Sequence, residues 1–202
     1  NNIYSFDSKE VKQYRFNDKI AFSSIIDNSL TIFVNNMGAM RMGPGNEFMK
    51  IEGTEILDEM HVCAIIPYTD QSLLFVTDTE GLFLLKNGIL SAFDTELSNQ
   101  LKKDNVYCAE SNGKYISYGT VSNGVYIKDI STDNMMHLNT DSGLQNNTVL
   151  SMFYDRDGNL WLGLDKGIDM ISLSSAEYRL FGDPDQYGAG YASAIFEGRL
   201  WL

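Results

Sequence analysis

Short hydrophobic runs alternate with short polar segments along this chain, and the pattern recurs at a fixed interval. Apolar, aromatic-rich runs of about four to eight residues are bounded by Asn, Asp, Gly and Ser, which is typical of β-strands and hairpins. Four polar segments contain a glycine, and successive glycines lie 43 residues apart, at Gly38, Gly81, Gly124 and Gly167. An interval of this size indicates a repeat protein in which copies of one supersecondary unit stack on one another.

Each repeat contains four predicted strands. Two apolar runs flank each glycine, in the segments LTIFVNNMGAMRM, LLFVTDTEGLFLL, YISYGTVSNGVYI and LWLGLDKGIDMIS. A further run precedes each segment, namely AFSSII, VCAIIP, VYCAES and VLSMFY, and a fourth follows, such as EFMKI at 47–51 or EYRLF at 177–181. Helix is indicated only over 94–103, and weakly. The repeat of about 43 residues therefore predicts an all-β fold, a β-propeller fragment of four-stranded antiparallel blades.

The recurring glycines are interpreted as turn residues. Each lies between two predicted strands, where the backbone needs a positive φ that glycine adopts without steric cost. Asp155, Asp157 and Asn159 alternate oxygen-bearing side chains as a calcium loop does. The EF-hand spacing fails, however, because Gly158 directly follows the second aspartate and no glutamate stands at the required position. We interpret this segment as a turn as well, and predict no metal site.

Composition excludes several classes of protein. The chain has 202 residues, 44% of them hydrophobic, and can bury a sizeable core. It has no apolar run of about eighteen residues, so no membrane span is predicted in this segment. A net charge of -12 disfavours direct binding of nucleic acid. The first residues, NNIYSFDSKEV, contain neither an initiating methionine nor a secretion signal, and we interpret the sequence as a segment of a longer protein.

The cysteines and histidines predict no chemistry of their own. Cys63 and Cys108 occupy nearly matching places in the first strands of neighbouring repeats, which favours core packing as free thiols over a disulfide. His61 and His137 have no partner at the spacing of zinc ligands. We predict no cofactor.

The last full repeat resembles a known family. Residues 143–173 read GLQNNTVLSMFYDRDGNLWLGLDKGIDMISL, and the ending EGRLWL opens a further copy. This stretch resembles the two-component regulator propeller repeat, with matches in order and spacing at 143–144, 146–149, 157–163 and 167–168. The other three repeats match loosely, because they lack the tryptophan-containing strand motif, and the 43-residue interval extends the resemblance to them.

The resemblance implies sensing and not catalysis. In that family the propellers form the periplasmic or extracellular sensor of membrane-anchored regulators, often hybrid histidine kinases of gut bacteria that detect breakdown products of complex glycans. It therefore implies an oligosaccharide ligand and an intact receptor that signals as a homodimer. No histidine-kinase box, phosphate-cradling loop or recognition helix is present in these residues, so any kinase, DNA-binding and membrane parts are expected outside this segment.

Residues 1–202 are predicted to form a single propeller segment. About four complete blades span 20–181, with half-blades at 1–19 and 182–202. Outer strands at the start and inner strands at the end would allow the ring to close with five blades, since pairing the termini hides exposed strand edges. An arc of a larger ring is the interpretation that we favour, because the family's propellers usually have seven blades.

A ligand is expected at one mouth of the propeller, on the connections between consecutive blades and on the turns between middle strands. The connections are 54–61, 98–105, 142–148 and 183–190. The last contains Asp183, Asp185, Gln186 and Tyr187, a mixture of carboxylate, amide and aromatic groups that suits a sugar. The alternative is that these are ordinary solvated turns. Asn146 and Asn147 are assigned to backbone hydrogen bonds.

Two other functions stay open at the level of sequence. A glycan-cleaving enzyme would need two carboxylates at a defined separation, which sequence does not show. A protein-docking platform needs no special residues. We therefore predict a ligand-sensing propeller without enzymatic activity, with docking as the first alternative and the enzyme as the second.

Overall fold

The computed structural model describes residues 2–6, 10–93, 95–173, 194–196 and 199–201. Strands account for most of this part of the chain. The strands are β1 (Asn2–Phe6), β2 (Val11–Arg15), β3 (Ile20–Ile26), β4 (Ser29–Val34), β5 (Gly38–Met42), β6 (Phe48–Lys50), β7 (Val62–Pro67), β8 (Leu73–Thr77), β9 (Leu82–Lys86), β10 (Ile89–Ala92), β11 (Val106–Ser111), β12 (Tyr115–Thr120), β13 (Val125–Asp129), β14 (Met135–Leu138), β15 (Val149–Tyr154), β16 (Leu160–Leu164), β17 (Ile168–Ile171), β18 (Ala194–Phe196) and β19 (Arg199–Trp201). Helix α1 is Glu96–Asp104, and three short 3-10 helices are Glu55–Leu57, Thr69–Gln71 and Thr140–Ser142.

Consecutive strands pair into small antiparallel sheets. Strands β3 to β6, β7 to β10 and β11 to β14 each form a four-stranded sheet in sequence order, β15 to β17 form a three-stranded sheet, and β1–β2 and β18–β19 are hairpins. We call the sheets that begin at β3, β7, β11 and β15 the first to fourth blades. The predicted all-β propeller architecture is confirmed. The predicted strand at 177–181 lies outside the described residues, and the number of blades that complete a ring stays a prediction.

The first strand of each blade lies at the axis. Strand β3 contacts β7, β7 contacts β11, and β11 contacts β15, so these strands succeed one another around a common centre. Their bounds agree with the predicted runs VCAIIP, VYCAES and VLSMFY. Because each blade begins at the axis and ends outside, the chain must return inward between blades. These returning connections form one end of the structure.

The core lies between the blades. Side chains from facing sheets form one apolar cluster at each junction, with Phe33 and Phe75 fully buried between the first and second blades. Tyr118 and Leu101 are buried between the second and third blades, and Leu162 between the third and fourth. Every blade therefore depends on its neighbours for burial of its apolar faces, as expected for stacked repeats.

Helix α1 forms the connection between the second and third blades. The Thr95 side chain caps it by accepting a hydrogen bond of 3.1 Å from Ser98 N. Leu97 and Leu101 are buried against the two blades, while Lys102 and Lys103 complement the dipole of the last turn. The weak helical indication over 94–103 is thereby confirmed, whereas the description of 98–105 as a loop is wrong. Amphipathic spacing of the two leucines explains the helix.

All four innermost strands carry an irregularity near their start. The register of the first strand against the second shifts in each blade, between Ile20 and Phe22, Val62 and Ala64, Val106 and Cys108, and Val149 and Ser151. The bulges were not predicted. The residues inside them, Ala21, Cys63, Tyr107 and Leu150, share no chemistry that would reveal the feature in sequence.

Apolar side chains are exposed on the outward face of the fourth blade. They are Leu150, Phe153, Trp161, Ile168 and Met170. The hairpin β1–β2 covers the outward face of the first blade through Ile3 and exposes Tyr4, Phe6 and Val11 on its other side. Within the described residues, no helix is long and apolar enough to cross a membrane.

Candidate ligand-binding face

The connections between blades and the turns between middle strands meet at one end of the structure. Four backbone hydrogen bonds of 2.9 to 3.2 Å join them. They run from Asn36 N to Asp58 O, Asp78 N to His61 O, Val121 N to Asn105 O, and Asp165 N to Thr148 O. The connections and turns that the sequence analysis expected to carry a ligand therefore adjoin one another in the described part of the chain, and ligand binding there stays a prediction.

The four recurring glycines lie in the middle-strand turns of this face. Their φ angles are 88°, 89°, 74° and 100° for Gly38, Gly81, Gly124 and Gly167. A Cβ atom at Gly124 would lie 2.1 Å from the carbonyl oxygen of Leu138. The turn interpretation is confirmed, and at Gly124 close packing against a neighbouring backbone adds a second reason for glycine.

Two cavities open on this face between the first and second blades. Their volumes are about 470 and 510 Å³, and they share Ile56 and Glu59 in their walls. Asn36 and Asp58 complete one cavity, and His61, Asp78 and Glu80 contribute to the other. The walls thus combine carboxylates, an amide, an imidazole and an exposed aliphatic side chain.

Hydrogen-bonding groups in these cavities are partly paired. His61 Nδ1 lies 3.6 Å from Asp78 Oδ2, and Lys50 forms an ion pair with Asp58. Glu59 and Glu80 add acceptors at the rim. Carboxylates accept hydrogen bonds from hydroxyl groups and an imidazole can donate one, so this surface suits a polyhydroxylated ligand. Among the described residues, no group of three or more His, Cys, Asp or Glu side chains is placed to hold a metal ion.

The two cysteines lie on the innermost strands and are free thiols. Cys63 donates to the carbonyl of Val106 over 3.2 Å, and Cys108 donates to the carbonyl of Val149 over 3.7 Å. Burial raises the pKa of each thiol to about 12, with neighbouring carboxylates adding to the effect. Both groups therefore stay protonated near neutral pH, in agreement with the interpretation of the two cysteines as packing residues.

A buried carboxylate, that of Asp104, accepts several hydrogen bonds where helix α1 meets the third blade. Asp104 Oδ2, at the end of α1, accepts hydrogen bonds from Tyr126 OH at 2.6 Å, Gln100 Nε2 at 3.0 Å and Asn123 Nδ2 at 3.1 Å. Burial acts to raise the pKa of Asp104, but these hydrogen bonds outweigh it and hold the pKa below the usual value. The imidazole of His137 stacks on Tyr126 with ring centroids 4.2 Å apart. The network fixes helix, turn and outer strand relative to one another.

Asn146 and Asn147 have the backbone-bonding role predicted for them. Asn146 Oδ1 accepts from Thr148 N at 2.7 Å, and Asn147 Oδ1 accepts from Thr140 N at 2.8 Å. At the opposite end of the fourth blade, Asp155 accepts from the backbone of Asn159 at 2.9 Å and from Trp161 Nε1 at 2.8 Å. The turn interpretation of 155–159 is confirmed.

Not every predicted site residue can be placed. Asp183, Asp185, Gln186 and Tyr187 lie outside the described residues, so their role stays a prediction. The structure brings together His61 and Asp78, a pair that the sequence analysis did not predict. The pair could have been predicted only from position. His61 ends a connection between blades and Asp78 follows a middle strand, and in a propeller both kinds of segment lie at the same end.

The fold is that of a β-propeller with small antiparallel blades. Comparison with known proteins relates part of the chain to one family of propellers. The family described as two component regulator propeller matches residues 143–166. The resemblance predicted from the sequence is confirmed there.

One curated relative and two solved structures are informative. Histidine kinase P4 of Formosa agariphila is 31% identical over 90 residues, which is 42% of this chain and 7% of that protein. The extracellular domain of BT4673 from B. thetaiotaomicron, described as a hybrid two component system, superposes with a TM-score of 0.64 and 22% identity over 87% of this chain and 25% of that one. The corresponding domain of BT3049 from the same organism gives 0.62 and 15%, over 86% of this chain and 26% of that one. The chain thus spans about a quarter of each solved domain, and these similarities establish the fold.

Proposed function

We propose that this chain is a ligand-sensing propeller from the extracytoplasmic region of a two-component-type receptor. The observation that carries the proposal is the regulator-propeller repeat at 143–166, embedded in a fold shared with extracellular domains of regulatory systems. The proposed ligand is a glycan-derived oligosaccharide. The intact receptor is proposed to act as a homodimer on the periplasmic or extracellular side of a membrane.

The chemistry of the candidate face supports recognition of sugar hydroxyls. Glu59, Asp78 and Glu80 offer acceptors around one cavity, His61 offers a donor, and Ile56 offers an apolar contact. Such a mixture of a few polar groups and an apolar surface is usual in small-molecule sites. The proposed activity is sensing, with any enzymatic output in other parts of the receptor.

Calorimetry and a turnover assay on the same glycan fragments test the proposal. Heat of binding without product formation supports a sensor, product formation supports a glycan-cleaving enzyme, and silence in both assays supports a docking platform. Asp78→Asn should weaken binding, whereas Asp157→Asn, at the opposite end of the fourth blade, serves as the matched control. If the two variants bind the glycan fragments with equal affinity, the candidate face is not the binding site.

A further inference from the structure

A third cleft lies at the other end of the first and second blades. Its volume is about 520 Å³, within the range of small-molecule sites, and Asp27, Arg41, Tyr68 and Gln71 contribute to its walls. Asp27 belongs to the turn that joins β3 to β4, and Tyr68 and Gln71 to the turn that joins β7 to β8. The cleft is therefore separated from the candidate ligand-binding face by the length of the strands.

One buried donor in the wall of this cleft, Arg41 Nε, has no hydrogen-bond partner among the described residues. Thr31 Oγ1, on the neighbouring strand, has none either. Thr31 and Arg41 are cross-strand neighbours on β4 and β5, and Thr31 is fully buried. Both side chains lie on the same face of the first blade as Phe33 and Ala39, which pack against the second blade. Unpaired polar groups inside a protein are unfavourable, and such groups beside a cleft indicate a role outside stability.

The backbone at the rim is strained. Gln71 has a φ of 59°, a left-handed conformation that is uncommon for glutamine. Strain of this kind concentrates at binding sites, where the surrounding structure maintains it. Here it fixes an exposed residue at the mouth of the cleft, next to Tyr68, whose ring packs edge-on against Phe93 at 5.7 Å. Tyr68 and Gln71 therefore both line the mouth of the cleft.

Donors and acceptors stand side by side in the cleft. Arg41 Nη2 lies 3.7 Å from Asp27 Oδ2, and 35% of the Arg41 side chain is accessible. Gln71 carries an amide that both donates and accepts. A sugar hydroxyl also does both, so adjacent hydroxyls can bridge the arginine and the aspartate. An anionic ligand fits less well, because Asp27 and a net charge of -12 oppose it.

We infer that this inter-blade cleft binds a neutral saccharide, with vicinal hydroxyls on Arg41 and Asp27 and a ring edge beside Tyr68. The inference takes its ligand class from the proposed function, but it assigns a second site at a different place in the fold. Arg41 is the central residue, because its Nε is the buried donor that only a ligand or solvent would satisfy.

Nuclear magnetic resonance on the uniformly ¹⁵N-labelled chain tests the site. The probes are maltose, cellobiose and lactose, with glucuronate as the acidic comparison. We expect saturable shifts of the Arg41 Nε–Hε and Gln71 side-chain amide signals with at least one neutral disaccharide. Arg41→Met should weaken that binding about tenfold or more while leaving the melting temperature equal or higher, since it removes an unpaired buried donor. Arg41→Lys should also lose the binding, and Arg156→Met, an exposed arginine of the fourth blade, should keep it.

Several outcomes would overturn the inference. Shifts confined to Glu59, His61 and Asp78 and insensitive to Arg41→Met would exclude this cleft while leaving the proposed function intact. Shifts at Arg41 with glucuronate alone would exclude the neutral class. The absence of any shift with the three disaccharides would also exclude the site, and the calorimetry on larger glycan fragments would then decide the proposed function separately. Lower melting temperature with unchanged binding in Arg41→Met would assign the arginine a purely structural role.

Discussion

At the scale of single residues, Asp104 shows how a buried charge is retained without a cationic partner in direct contact. The residue is 8% exposed, and three neutral donors surround one of its carboxylate oxygens. Burial also raises the pKa of Tyr126 to about 12, with the hydrogen bond to Asp104 acting in the same direction. The tyrosine therefore remains a donor over the whole physiological range, and the carboxylate remains its acceptor.

The substitution Asp104→Asn should lower the free energy of unfolding near neutral pH by about 2 kcal/mol, because hydrogen bonds to a charged acceptor are lost. The native pKa of Asp104 is depressed, so its contribution is complete above the ordinary aspartate pKa of about 3.9 and disappears as pH falls through the lower native value. Denaturant titrations of both proteins along a pH series measure this. A stability difference that does not narrow in acid would contradict the assignment.

Gly124→Ala should be more destabilising than Gly113→Ala, although both glycines have a positive φ. A methyl group at Gly113 meets no atom within 4 Å, so that variant bears only the conformational penalty of about 1 to 2 kcal/mol. At Gly124 the methyl group would also collide with the carbonyl of Leu138. Chemical denaturation of the pair isolates the effect of close packing, and equal losses would show that conformation alone selects glycine in the repeat.

At the scale of elements, the strands were predictable because each innermost run is rich in β-branched and aromatic residues and ends at a turn. The bounds of β7, β11 and β15 follow directly from this pattern. Contacts made between repeats were not predictable. His61 meets Asp78, and Asp104 meets Tyr126, only because the propeller topology brings connections and middle turns together. These pairs differ from repeat to repeat, so periodicity gives no sign of them.

The cap of α1 provides a test of the one α-helix in the described part of the chain. Thr95→Ala should lower the free energy of unfolding by about 1 kcal/mol, because Ser98 N loses its acceptor. Thr95→Ser, which keeps the hydroxyl, should stay close to the original protein. Thermal melts of both variants measure the difference. Similar melting temperatures for the two would indicate that burial of Leu97 and Leu101 alone maintains the helix.

At the scale of the whole molecule, stability is distributed over junctions between neighbouring blades and not concentrated in one centre. Three buried clusters each join two consecutive blades, with the helix included in one of them, and a fourth packs the first blade against the β1–β2 hairpin. A perturbation at one junction should therefore weaken its two blades first. This behaviour distinguishes stacked propeller blades from a domain with a single shared core.

Leu162→Ala tests this organisation. Leu162 is fully buried between the third and fourth blades, so the substitution should remove about 2 to 5 kcal/mol locally. Hydrogen exchange read by mass spectrometry should show lost protection in β11 to β17 and nearly unchanged protection in β3 to β6. Ile32→Val, a smaller deletion at the other end of the arc, provides the reciprocal comparison. Uniform loss of protection across all sheets would contradict the model of independent junctions.

The exposed apolar side chains of the fourth blade have an evolutionary consequence. Phe153, Trp161 and Met170 present to the outside the same kind of surface that internal blades present to one another. A gene encoding such a protein can therefore lengthen or shorten by one duplicated or deleted unit, because an added blade meets an apolar face of the same general kind. Among related proteins, the number of blades should then vary more readily than the structure of a single blade.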